Sequence, residues 1–177
     1  MTGEGASTRW LDGQELDAWL QVARILSWVP AELDARLLRE DGITHFEYEV
    51  LASLSESADR RLRMSVLAGL ANGSLSRLSH VVRRLEQRGW VTRERCPDDR
   101  RATYAVLTDD GYAKVVATAP GYVEHVRSLT IDPLDREQIV LLAQIGQRLN
   151  DAAGRGGLAG LAGEGRAAST GAADPTD

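Results

Sequence analysis

Between Ser74 and Tyr104 lie eight arginines against four acids (Glu86, Glu94, Asp98 and Asp99), an excess of four positive charges inside a chain whose net charge is −5. A basic element on an acidic chain is the electrostatic footprint of a site for a polyanion. Ser76, Arg77, Ser79, His80, Arg83, Arg84 and Gln87 fall on one side of a helical repeat. Each can hydrogen-bond to a phosphate or a base edge. Arg93 and Arg95, and then Asp99, Arg100 and Arg101, carry the pattern further along the chain. The chemistry this implies is noncovalent recognition of nucleic acid. A solvated helix face and an ordinary charged hairpin tip are the plain alternatives for the same residues.

The elements that must position these groups follow from periodicity. Leu75, Leu78, Val81, Val82 and Leu85 form the apolar stripe of one helix. Ser74 suits its N-cap and Gly89 its left-handed end. Just upstream, Ser65 to Ala71 reads as a short helix capped by Ser65, and Asn72-Gly73-Ser74 as a turn. Helix, glycine turn, helix is the helix-turn-helix pattern, whose second helix enters the major groove N-terminus first. Ser76, Arg77 and His80 are therefore the expected base readers. Trp90–Arg95 and Thr103–Leu107 read as strands around a tight turn at Pro97 and Asp98. A two-stranded ribbon tipped with arginine suits a minor groove. A carboxylate at Asp99 can brace the Arg101 guanidinium in one rotamer.

Three runs carry a resemblance: Arg84-Leu85-Glu86-Gln87-Arg88-Gly89-Trp90-Val91, then Asp99-Arg100-Arg101, then Leu107-Thr108-Asp109-Asp110-Gly111. In order and spacing the chain resembles the MarR family of transcription regulators over about residues 14–150, most sharply from Ser65 to Gly111. The resemblance implies that Arg101 is the wing arginine of the minor groove and Asp99 its brace. It implies a homodimer joined by the first and last helices. It also implies a small aromatic or amphipathic ligand held between the dimer helices and the winged lobe. Trp28, His45, Tyr48 and Tyr112 are candidates to line that pocket, with core packing as their plain role. Many members carry an acid where Arg83 stands; a basic residue here adds a phosphate contact and leaves the wing less tethered. Some members sense oxidants through a cysteine on the first helix, where this chain has none. Cys96, beside Arg95, is a candidate redox thiol on the wing, an inert thiol being the alternative.

Length and composition set the frame. The chain has 177 residues, 43% of them hydrophobic, which suits one ordinary domain with a core. Aromatics are few and β-branched runs are confined to the wing, so the fold class is mainly α. No apolar run approaches the ~18 residues of a membrane span. The N-terminus lacks the basic start and apolar run of a signal peptide. One cysteine excludes an internal disulfide and a multi-cysteine metal site. Together these point to the cytoplasm and away from a membrane. His45, His80 and His125 sit on separate elements with no ligand partner at helical spacing, so no metal is expected. No nucleophile triad, phosphate-cradling glycine loop or nicotinamide fingerprint is present, so neither a cofactor nor an enzymatic activity is expected.

The order of the chain gives the boundaries. Residues 1–13 read as a mobile N-terminus. Gln14 to about Arg39 reads as a helix that Pro30 kinks or divides. Its Trp19 and Trp28, with Trp10 just before it, need covering, and a second chain can cover them, packing within the chain being the alternative. Thr44 caps the next helix with Glu47 in a capping box, and Phe46, Val50, Leu51 and Leu54 face inward. Ser55 to Arg63 reads as a polar loop. Thr108 caps a helix that Pro120-Gly121 should kink. Asp132 is expected to cap the last helix, with Pro133 at its first position and Leu134, Leu141, Leu142, Ile145 and Leu149 on its buried face. The expected architecture is a winged helix-turn-helix lobe (44–108) with a two-stranded β wing. Long dimerisation helices (14–40 and 109–150) complete the 14–150 domain. The Gly- and Ala-rich tail 151–177 carries no stripe and reads as disordered. The function this organisation predicts is a homodimeric, ligand-responsive repressor on palindromic double-stranded DNA. A winged-helix adaptor for an acidic protein is the alternative.

Overall fold

Asp12 starts the first helix. Its carboxylate accepts from the Glu15 N–H at 2.9 Å, and Glu15 accepts from the Asp12 N–H at 3.0 Å. This capping box lies at the N-terminus of α1, Gly13–Asp41, in the computed structural model, which describes residues 8–95 and 102–154. Of the two outcomes expected at Pro30, a kink or a division, the division does not occur: α1 is one helix through it. Proline removes one backbone bond, and Leu33 and Leu37, both buried, anchor the following turns. Gly42, at φ 68°, ends α1 in the left-handed conformation that glycine adopts without strain.

Thr44 caps α2, His45–Ser55, through the expected box: Thr44 Oγ1 accepts from the Glu47 N–H at 3.1 Å and Glu47 Oε2 from the Thr44 N–H at 2.8 Å. The segment read as a loop instead contains a 3₁₀ turn, Ala58–Arg60, and a strand, β1, Arg61–Arg63. Asp59 and Arg60, both at positive φ, turn the chain into it. Three residues of Arg-Leu-Arg are too short to signal a strand by themselves. Alternation nonetheless packs Leu62 against the core and leaves Arg61 and Arg63 to flank the Tyr104 ring at 4.0 and 5.7 Å.

The short helix α3, Met64–Leu70, has Arg63 and not Ser65 at its N-cap, and no side-chain cap bond. The cap thus lies two residues earlier than expected, and the buried Met64 is the first helical residue. After the Asn72–Gly73 turn comes α4, Leu75–Gln87, with the Ser74 hydroxyl accepting from the Arg77 N–H at 3.1 Å. Then β2, Val91–Arg95, pairs antiparallel with β3, Thr103–Leu107, from Val91↔Leu107 to Arg95↔Thr103. The expected two-stranded wing is thus part of a three-stranded sheet ordered β1-β3-β2. Residues of α2, α3, α4 and the sheet, with Val115, share one buried core.

Thr108 caps α5, Asp109–Val126, which continues through Pro120. Gly111 is demanded by close approach: a Cβ there would collide with the Trp90 carbonyl oxygen. A π-helical segment, Arg127–Ile131, leads to α6, Arg136–Ala152. The cap of α6 is Asp135, boxed with Gln138, and not Asp132, whose carboxylate pairs instead with Arg127 at 2.7 Å. Leu134 therefore precedes the helix. The stripe Leu141, Leu142, Ile145 and Leu149 stays about half exposed: among the described residues α1 faces part of it across an open groove and does not cover it.

Candidate nucleic-acid interface

Helix α4 presents the most sharply divided face of the molecule. Leu78, Val81, Val82 and Leu85 are buried, while Ser74, Ser76, Arg77, His80, Arg83, Arg84 and Gln87 are exposed and Ser79 is half-buried. Leu75 departs from the expected stripe: at 53% exposure it lines a concavity of about 420 Å³ with Arg63, Ser65, Ser79 and Arg93, between α3, α4 and the wing.

The arginines separate by what their donors meet. Arg84 donates from Nε to Glu47 Oε1 at 3.0 Å, and Glu47 is only 2% exposed. A buried carboxylate requires such partners. The other oxygen of Glu47 is the one that caps Thr44. Arg93 leans back onto α4, donating to the Ser79 carbonyl at 2.9 Å, with Glu86 at 3.5 Å. Arg88 donates to the Gly42 carbonyl at 3.0 Å. These three tie α4 to α2, to the wing and to the end of α1. Arg77, Arg83 and Arg95 have no hydrogen-bond or ion-pair acceptor for their side chains among the described residues. The Arg77 guanidinium instead lies 4.0 Å over the Phe46 ring. Cys96, Asp99, Arg100 and Arg101 lie outside the described residues.

The ligand candidates do not converge on one pocket. His45 Nε2 is 3.2 Å from the Tyr122 hydroxyl, and the Tyr48 and Tyr122 rings are 4.3 Å apart. Burial pushes the Tyr48 hydroxyl up to about 12 and raises Tyr122 and the nearby Glu49 carboxyl as well. Trp28 sits elsewhere, in an apolar groove of about 390 Å³ with Ile25, Leu129, Pro133, Leu134 and Leu141. Tyr112 lies under Arg60, 3.8 Å from guanidinium to ring centre. Sequence reasoning missed Tyr122, whose helix phase relative to α2 no local pattern reveals. It also missed the second role of Glu47, legible in sequence only as a cap.

Among the described residues no cluster of three or more His, Cys, Asp or Glu could hold a metal ion. No described helix is long and apolar enough to cross a membrane.

Residues 43–103 match the model of the MarR family. The structure superposes with a TM-score of 0.79 on a MarR family transcriptional regulator from Streptomyces coelicolor solved in complex with DNA, at 41% identity over 84% of this chain and 92% of that one. The chain belongs to the MarR family. AbsC, another MarR family regulator from Streptomyces coelicolor, matches at 37% identity and a TM-score of 0.76, over 82% of this chain and 98% of its own. YdcH of Bacillus subtilis, an HTH-type transcriptional regulator, is 30% identical over 48% of this chain. PecS of Dickeya dadantii, of the same type, is 29% identical over 57% of it. The matched regions span 59% and 61% of those two proteins. These relatives are transcriptional regulators, not enzymes.

Proposed function

We propose that this MarR chain is a homodimeric, sequence-selective regulator of transcription that binds palindromic double-stranded DNA in the cytoplasm and represses by occupying its operator. The observation that carries the reading is the set of cationic donors on one exposed face, Arg77, Arg83 and Arg95, with no protein acceptor among the described residues. Beside them Arg84, Arg88 and Arg93 hold the reading helix in place. The regulator from Streptomyces coelicolor crystallised with DNA supports DNA as the partner. Recognition helices of a two-fold dimer would sit about 34 Å apart and read half-sites one turn apart. The exposed apolar residues of α1 and α6, Trp19 and Leu26 with Leu141 and Ile145, are the surface a second copy would cover. By the family resemblance Asp99, Arg100 and Arg101 would add a minor-groove contact to this interface. A small aromatic or amphipathic ligand between α1, α2 and α5, near His45, Tyr48 and Tyr122, would shift the spacing of the two lobes.

Fluorescence anisotropy on an operator recovered by random-sequence selection tests this. Wild type should bind it selectively over unrelated DNA, with log K falling linearly as log salt rises. Arg83→Ala should weaken binding to all sequences and lower the salt slope by about two, one phosphate contact being lost in each half-site. Failure to enrich any sequence, with unrelated DNA bound equally, would sink the proposal and favour the adaptor for an acidic protein.

A further inference from the structure

We propose that Phe46, on α2, is a specificity-determining positioning residue: it holds Arg77 flat so that its donor edge can read a guanine. This deepens the DNA-binding proposal and rests on it.

The Phe46 ring is 6% exposed and gripped from two sides. On one side is the turn between α3 and α4, where a Cβ on Gly73 would stand 2.6 Å from the ring Cζ. That turn therefore tolerates only glycine while the ring is in place. On the other side is Arg77, with its guanidinium carbon 4.0 Å from the ring centre. The backbone that carries the ring is fixed by the Thr44–Glu47 capping box. The backbone that carries the guanidinium is fixed by Ser74, which accepts from the Arg77 N–H. Both partners of the stack are thus held at their roots.

Stacking occupies the π face of a guanidinium and leaves the N–H donors around its edge available. Among the described residues none of those donors on Arg77 meets an acceptor. A phosphate contact tolerates a freely rotating cation, because a phosphate presents acceptors in many directions. Paired hydrogen bonds to guanine O6 and N7 need a planar fork held in one plane. A ring that fixes that plane before binding lowers the ordering cost of the contact. Neither Arg83 nor Arg95 rests on a ring, so both are suited to phosphate. The partner that Phe46 selects is therefore a G·C pair in each half-site, read by Arg77.

A double-mutant cycle measures the effect. On the selected operator, Phe46→Leu should lower affinity about 5- to 20-fold, since both half-sites lose the stack. Affinity for unrelated DNA should stay within about twofold. Replacing the G·C pair read by Arg77 should no longer discriminate in that variant. In an Arg77→Ala background, Phe46→Leu should leave the ratio of operator to unrelated affinity unchanged. Equal losses in both backgrounds, or parallel losses on both DNAs, would make Phe46 a core residue only and overturn the proposal. The unaltered protein supplies a second test that needs no folded variant of Phe46. The Arg77 side-chain protons, assigned by their disappearance in Arg77→Ala, should be shifted upfield by the ring current. Unshifted signals also overturn it. A wild type that selects no sequence removes the DNA-binding reading and this inference together; selective binding without coupling removes only the inference.

Discussion

Leu78, Val82 and Leu85 on α4 are fully buried, while Leu141, Leu142, Ile145 and Leu149 on α6, at similar helical spacing, stand about half exposed. The first set meets α2, α3 and the sheet inside one chain; of the second, Leu141, Leu142 and Ile145 line an open groove with Ile25 and Trp28 of α1, and the set is left uncovered among the described residues. The same contrast runs through α1, where Leu33 and Leu37 are buried but Leu16, Trp19 and Leu26 are open. Apolar periodicity states that a face must be covered. It does not state by what. The core of the winged lobe closes within one chain, whereas the helical arm leaves an apolar face open, the face that the proposed dimer would cover.

That difference can be broken by mutation. The largest effect belongs to the lobe: Leu85→Ala, in a fully buried site, should cost about 2–5 kcal/mol in denaturant unfolding. The matching change on the arm is Ile145→Glu. It should move the protein from dimer to monomer in sedimentation. Measured at a concentration where wild type is itself monomeric, it should alter stability by no more than about 0.5 kcal/mol. A loss as large as that of Leu85→Ala under those conditions would show that α6 packs within its own chain. Next is Gly111→Ala, where the added carbon meets the Trp90 carbonyl; overpacking of this kind costs about 1–3 kcal/mol and should appear as a lowered melting temperature.

The smallest effect lies at the joint between the two regions. Asp41, at the end of α1, accepts from Thr118 at 2.6 Å and Lys114 at 2.9 Å on α5. Burial opposes the Asp41 carboxylate, but those two hydrogen bonds with the Lys114 charge outweigh it and hold its carboxyl below the ordinary 3.8. A lowered folded value means that the stabilisation is fully present above the unfolded value and is lost as pH falls through the folded one. Stability should therefore decline below about pH 4. Asp41→Asn should flatten that decline while leaving the neutral-pH curve shape unchanged. An acid limb identical in the variant would remove Asp41 from the joint.

Much of the lobe was legible because its determinants are local. Ser74, Gly89, Thr44 with Glu47, and Thr108 are caps, and a cap needs only a few residues of context. The errors fall where a distant partner decides. Strand β1 exists because β3 offers it a ladder, with Leu62 opposite Ala105, and nothing within Arg61–Arg63 announces that. At the start of α6, Asp132 and Asp135 are both eligible caps; Arg127 engages the first and leaves the second to begin the helix. At the interface, residue type indicated which side chains could meet a polyanion. Only geometry separated Arg84 and Arg93, held by Glu47 and the Ser79 carbonyl, from Arg77, which rests on a ring.

Three consecutive residues at the start of α2 reach two other helices, one of them at two places. The His45 N–H donates to Asp34 of α1 at 2.8 Å, the Phe46 ring lies under Arg77 of α4, and Glu47 holds Arg84, two turns further along that helix. Two attachment points spaced along α4 define a line, and the Ser79 carbonyl of α4, which accepts from Arg93 of β2, supplies a third point off it. Three such points leave a rigid body no free rotation. The reading helix has no orientation of its own to lose: it takes its bearing from the first turn of α2 and from β2, as an instrument takes its bearing from a tripod.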